Sequence, residues 1–206
     1  LRMTIPVTYI PEFLREEVAT AFFKDLWSEL EWIQLPDAPR REYWTNTLQR
    51  PYTYGRGAGQ RTYQHQPTHP DIEYVAKRLW VEHQLSFEGC FLNGYRDERD
   101  SLGWHADDDP GIDHSKPIAV VTLYDGPVMP ANYEDLGVLQ HRKEPKSRIL
   151  QVRPIDGDKS SITDIAVEHG SLLLMHPGMQ STHLHKIPKA GYKSRPRISL
   201  TFRGLK

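Results

Sequence analysis

The chain has 206 residues, 38% of them hydrophobic and 26% charged, with a formal net charge of −1. That is length for one ordinary core, too much apolar content for a disordered chain, and too little net charge for a surface uniformly adapted to nucleic acid. The longest apolar runs, IAVVTLY and SLLLM, fall far short of the roughly 18 residues that a spanning helix needs, so no membrane segment is expected.

Taken in chain order, the N-terminal stretch has no basic segment followed by an apolar run. Leu1 in place of Met reads as a trimmed start, and an intracellular protein is expected. The single Cys90 permits no internal disulfide, in keeping with a reducing compartment. Over residues 11 to 31, Leu14, Val18, Phe22, Leu26 and Leu30 recur at helical spacing, with Pro11 suited to a first turn. A second helix is expected from Pro70 to His83, with Ile72, Val75, Ala76, Leu79 and Trp80 as its apolar stripe. Between them, RREYWTNTLQRPYTYGRGAGQRTYQHQ interleaves Arg40, Arg41, Arg50, Arg56 and Arg61 with Tyr43, Trp44, Tyr52, Tyr54 and Tyr63. Basic groups track phosphates and aromatic faces stack on bases, which makes this the candidate nucleic-acid surface; a hairpin with its aromatics in a minor core is the alternative.

From Phe87 onward the texture changes to short strand-like runs: FEGCFLNGY, SLGWHAD, KPIAVVTLY, RILQVRPI, SITDIAVE, GSLLLMH, STHLHKIP and RPRISLTFR. Runs of this kind without intervening helical patterns predict a mostly antiparallel barrel or jelly roll, giving an α+β chain with its helices packed on the sheet. Residues 125 to 147, with three prolines and little periodicity, are expected as a long loop. The chain is also asymmetric in charge, basic from 141 onward and acidic before it.

The chemistry concentrates in GWHADDDP. Three consecutive aspartates beside His105 repel one another unless a cation or basic partner intervenes. On a strand His105 and Asp107 share a face, a two-ligand platform that needs a third group. STHLHKIP supplies His183 and His185, also on one face. Two imidazoles and a carboxylate leave open positions, the arrangement of non-haem Fe(II) oxygenases, whereas structural zinc would want a closed fourth ligand. In RPRISLTFR, Arg197, Ser199, Thr201 and Arg203 share one face, and Ile198, Leu200 and Phe202 the other. Arginines turned into a barrel call for an anion, and a dicarboxylate fits the bidentate guanidinium. Asn93 and Tyr95 share a face just upstream and can donate to the same carboxylates.

Through NGYRDERDSLGWHADDDP, KPIAVVTL, HGSLLLMHPGMQSTHLHKIP and RPRISLTFR, the sequence resembles the AlkB-type Fe(II)/2-oxoglutarate-dependent dioxygenases, which repair alkylated nucleic-acid bases. The resemblance implies one domain over 1–206: helices and a substrate lid over 1–86, and a double-stranded β-helix (jelly-roll) core over 87–206. It implies Fe(II) held by His105, Asp107 and His185, the last chosen over His183 because it precedes K-I-P as the family ligand does. It also implies 2-oxoglutarate as cosubstrate, bound by Asn93, Tyr95, Arg197 and Arg203, with O2 as oxidant. Tyr54 would stack on a flipped base opposite His105, Asp109 would contact that base, and Arg56 and Arg61 would bind the substrate strand. The expected reaction is oxidative demethylation of N-alkylated bases in DNA or RNA by a monomer. The alternative is a hydroxylase or demethylase of a protein or small molecule on the same fold.

Overall fold

The computed structural model describes residues 5–36, 38–55, 57–131 and 144–206. The elements run β1 (Val7–Ile10), α1 (Glu16–Glu29), β2 (Arg41–Asn46), β3 (Tyr52–Tyr54), β4 (Arg61–Tyr63), α2 (Pro70–His83), β5 (Gly89–Tyr95), β6 (Leu102–His105) and β7 (Ile118–Tyr124). They continue with β8 (Arg148–Pro154), β9 (Thr163–Val167), β10 (Leu172–Met175), α3 (Met179–Thr182), β11 (His183–Ile187) and β12 (Arg197–Arg203). All eight strand-like runs after Phe87 form strands. Part of the 125–147 excursion, residues 132–143, lies outside the described residues; its base is closed by a bridge between Met129 and Lys146.

The first helix is shorter than its periodicity predicts. Val7–Ile10, ahead of the expected helix, pairs antiparallel with β10, and Pro11 with Glu12, at φ 51°, turns the chain out of that strand rather than opening the helix. Helix α1 then starts at Glu16, where Glu16 and Glu17 complement the positive end of the helix dipole. Its buried face is Ala19, Phe23 and Leu26. The segment before it docks where Leu14 N–H donates to Gly170 O; Gly170 has φ 75°, and a Cβ there would meet Leu14 O. Helix α2 has the expected bounds, with Pro70 in its first turn and the His69 ring accepting from Asp71 N–H. Its stripe is narrower than expected: Ile72, Val75 and Leu79 are buried, but Trp80 faces solvent.

A six-stranded sheet, in the order β1-β10-β7-β12-β5-β2, faces a four-stranded one, β6-β11-β8-β9. The helices cover the outer face of the larger sheet, where Phe23, Leu26, Ile72, Val75 and Leu79 join Leu92, Val121, Ile198, Leu200 and Phe202 in one core. Between the sheets lie Tyr95, Leu150, Val152, Val167, Leu173 and Ile187. β12 is central, paired with β5 on one side and β7 on the other. Its alternation therefore sends Ile198, Leu200 and Phe202 to the helices, and Arg197, Ser199, Thr201 and Arg203 into the barrel.

The arginine-aromatic stretch is largely interior. Trp44, Tyr52 and Tyr63 pack with Phe91 in a third apolar cluster, Tyr43 joins the main core, and Arg40 is buried. The minor-core alternative describes most of this segment. Large aromatics gain more from burial than from waiting in water for a base.

Candidate active site

β6 and β11 pair so that His105 stands opposite His185, with ring centroids 4.1 Å apart. Asp107, two residues past the end of β6, lies on the same side. The ligating atoms of His105, Asp107 and His185 all lie within 4.8 Å of one another. His183 is buried two residues away on β11, bonded to Thr182 Oγ1, and stands outside this cluster.

His105 and Asp107 are each oriented by a neighbour, whereas His185 Nδ1 has no hydrogen-bond partner among the described residues. His105 Nδ1 lies 2.8 Å from Gly103 O; a carbonyl only accepts, so Nδ1 carries the proton and Nε2 presents its lone pair to the site. Asp107 Oδ2 accepts from Arg203 Nη2 at 2.9 Å, and its backbone N–H donates to Gln180 Oε1 at 2.9 Å. Asp107 Oδ1, 3.6 Å from His105 Nε2, has no hydrogen-bond partner among the described residues. Gln180 had no sequence signal: its role depends on α3 folding back beneath Asp107.

Burial would raise the Asp107 carboxyl, but Arg203 and the two imidazoles outweigh it and hold the group well below the usual carboxylate range. Burial pushes His105 down, and His185 down to about 3 with His105 beside it. The trio is thus two neutral imidazoles and one carboxylate, the protonation state that binds a divalent cation. A stability consequence follows. An unfolded chain binds protons on these imidazoles near pH 6.5 while the folded one refuses them, so stability is present above that pH and lost as pH falls below it. Metal-free protein should lose on the order of 2 kcal/mol between pH 7 and 5.5. Urea unfolding at both values checks this, and equal midpoints would contradict it.

Arg197 and Arg203 are 2% and 5% exposed. Arg197 Nη2 donates to Thr122 Oγ1 at 3.1 Å, but its Nε and Nη1, like Nε and Nη1 of Arg203, lack a partner among the described residues. A buried guanidinium with open donors is costly unless an anion completes it. The four open nitrogens belong to residues lining a cleft of about 500 Å³, part of it open to solvent, together with Asn93, Tyr95, Ser199, Thr201 and the His-Asp-His trio. Tyr95 is fixed between Arg197 and Arg148, whose guanidinium carbons lie 5.1 and 5.6 Å from its ring centre. Arg148, which the sequence did not single out, donates to the carbonyls of Asp97, Asp100 and Pro188.

A second cleft shares His105, Asp107, Asn93 and Arg203 with the first and is walled by Tyr52, Tyr54, Phe91, Arg40 and Glu42. Tyr54 stands 6.3 Å from His105, ring to ring and nearly perpendicular. Asp109 accepts from Tyr52 Oη at 2.5 Å. Arg61 lies 3.8 Å from Glu42 and is only partly exposed, and Arg56 lies outside the described residues. The clefts therefore gather the triad, Asn93, Tyr95, Arg197 and Arg203 in one place, with Tyr54 at the rim of the second.

The donor set fits a hard-to-borderline divalent cation with open positions, and the guanidinium pair fits a carboxylate cosubstrate. Comparison with known proteins agrees. The family model described as "2OG-Fe(II) oxygenase superfamily" matches residues 6–203. Bos taurus alpha-ketoglutarate-dependent dioxygenase alkB homolog 3 is 29% identical over 96% of this chain, which spans 65% of that relative's length. Mus musculus DNA oxidative demethylase ALKBH2 is 26% identical over 90% of this chain and 74% of its own. Among solved structures, OsALKBH1 superposes with a TM-score of 0.64 over 98% of both chains at 14% identity, a likeness of fold. The chain belongs to the 2OG-Fe(II) oxygenase superfamily, whose cofactors are Fe(II), 2-oxoglutarate and O2.

Proposed function

We propose that this chain oxidatively demethylates N-alkylated bases in DNA or RNA, with His105, Asp107 and His185 holding Fe(II), and Asn93, Tyr95, Arg197 and Arg203 holding 2-oxoglutarate. The observation that carries the substrate reading is the second cleft. It opens directly onto His105 and Asp107, and Tyr52, Tyr54 and Phe91 give it flat aromatic walls suited to a planar base taken out of its stack. The names of the relatives, a DNA oxidative demethylase among them, support the same class.

When bound, Fe(II) with 2-oxoglutarate and O2 supplies the oxidation of a C–H bond, with succinate and CO2 as the cosubstrate's products. The chain's own residues bind and orient. Arg197 grips a carboxylate with its open edge, while Tyr95 and Asn93 limit where that carboxylate can lie. Arg203 spans the two jobs, bonded to Asp107 on one side and open to the cleft on the other. The apolar wall of Leu150, Val167, Leu173 and Ile187 keeps water from the bound cosubstrate. Tyr54 bears on the base; because its ring lies perpendicular to His105, it must turn for a base to stack between them. Asp109, with Oδ2 held by Tyr52, keeps an oxygen for an exocyclic amine. Arg61 and Arg56 follow the strand.

The reading is tested by formaldehyde and succinate release from oligonucleotides, single- and double-stranded, carrying N1-methyladenine or N3-methylcytosine. Succinate without loss of any methyl mark would move the substrate to another class. Tyr54→Ala should cut demethylation about tenfold while leaving substrate-free 2-oxoglutarate turnover nearly unchanged. Equal loss of both would make Tyr54 a packing residue.

A further inference from the structure

The hairpin β3–β4 forms a two-stranded sheet of its own, joined to neither large sheet by strand pairing. Side chains must therefore decide where it sits. Tyr52 and Tyr63 are register partners across it, and both rings are buried. Each sends its hydroxyl to a carboxylate of the barrel. Tyr52 donates to Asp109 Oδ2 at 2.5 Å, and Tyr63 to Glu42 Oε2 at 2.6 Å. One anchor lies two residues beyond Asp107. The other, on β2, is the register partner of Asn93.

Glu42 is 1% exposed, and a buried carboxylate is costly unless it is paired. Arg40 pairs with it: Nη2 donates to Glu42 Oε1 at 2.8 Å, while Nε donates to Asn93 Oδ1 at 2.7 Å. One continuous chain of hydrogen bonds thus runs from the hairpin, through Tyr63, Glu42 and Arg40, to a residue on the wall of the cosubstrate cleft. Packing of Tyr52 and Tyr63 on Trp44 and Phe91 would hold the hairpin without any of these charges. The ionic link adds direction: a ring cluster tolerates sliding, whereas a tyrosine hydroxyl on a fixed carboxylate does not.

We infer that Tyr63 and Glu42, with Tyr52 and Asp109 as a second clasp, are positioning residues that hold the hairpin in the one register that sets Tyr54 beside His105, and that Arg40 ties that register to Asn93. Burial raises both tyrosine hydroxyls well above their ordinary range, so each stays a donor throughout the physiological range.

Tyr63→Phe removes one oxygen and keeps the ring. Hydrogen exchange of the metal-free protein should quicken about tenfold at backbone amides of β3 and β4, with β5 and β12 unchanged. In the loaded enzyme acting on a methylated oligonucleotide, formaldehyde formed per succinate should fall several-fold and the oligonucleotide KM should rise, with the 2-oxoglutarate requirement unaltered. Glu42→Gln, which weakens the Arg40 pair as well, should also raise that requirement, and the double variant should add little to the larger single effect. A merely structural role would lower Tm and total turnover together and leave the formaldehyde-to-succinate ratio alone; an unchanged ratio, or exchange that quickens uniformly across the barrel, overturns the inference. The kinetic half rests on the proposed base-demethylating function. If wild-type protein releases no formaldehyde from any oligonucleotide, that function fails, and the exchange result alone decides the clasp.

Discussion

Asp107→Asn should leave a folded protein that binds its divalent cation at least about a hundredfold more weakly and makes succinate only at background. The substitution keeps the volume of a side chain that is 1% exposed, and its amide oxygen can still accept from Arg203. What it removes is the negative charge and the oxygen, Asp107 Oδ1, that faces His105 without another partner among the described residues. An amide nitrogen turned toward that space is a donor and cannot ligate. Asp107→Ala is the poorer test, because it strips Arg203 of its carboxylate and leaves a buried cation unpaired, which costs roughly 3–5 kcal/mol. Loss of activity in the alanine variant would thus mix unfolding with ligand loss. Titration with Co(II) followed by its visible bands separates the two for the asparagine variant, with thermal unfolding as the control. Normal succinate release would remove Asp107 from the metal site.

What could be read from the sequence followed from period and order. Asn93 and Tyr95, and Arg197 through Arg203, each lie on one strand, where alternation alone fixes which side chains point together, and Asp107, two residues past the end of β6, still falls on the side of His105. The pairing of β6 with β11 that sets His105 against His185 is a long-range fact, and only the family pattern around K-I-P selected His185 over His183. The segment from Arg40 to Tyr63 stays open between two readings for a physical reason. Arginines interleaved with aromatics describe equally well a surface that stacks on bases and a core in which rings cover a buried ion pair, because composition does not distinguish an exposed guanidinium from one clamped on Glu42. Strand β1 was too short to announce itself, and its pairing with β10 depends on partners 162 to 168 residues away. Arg148 and Gln180 act on backbone atoms of segments far from them in sequence, Asp100 and Asp107, and no local spacing records such contacts.

Arg197→Met should raise the 2-oxoglutarate requirement on the order of 10- to 100-fold while leaving metal affinity close to wild type. The split is the useful part. Arg197 reaches Thr122 and the Tyr95 ring but has no bond to the His-Asp-His trio, whereas Arg203 donates directly to Asp107. Arg203→Met should therefore weaken both cosubstrate and metal binding. Methionine approximates the length of the arginine stem and carries no donors, so the loss measures the guanidinium. A second consequence concerns stability. Without a carboxylate beside it, Arg197 holds a charge at 2% exposure with Nε and Nη1 open, an arrangement that costs the ligand-free fold free energy. The methionine variant should then unfold at the same or a higher temperature than wild type when both are free of cosubstrate, and 2-oxoglutarate should stabilise it less. Cosubstrate titrations and thermal unfolding, each with and without 2-oxoglutarate, test the two halves. An unchanged requirement would place the cosubstrate carboxylate elsewhere, and a large loss of ligand-free stability would show that Arg197 serves the fold rather than the anion.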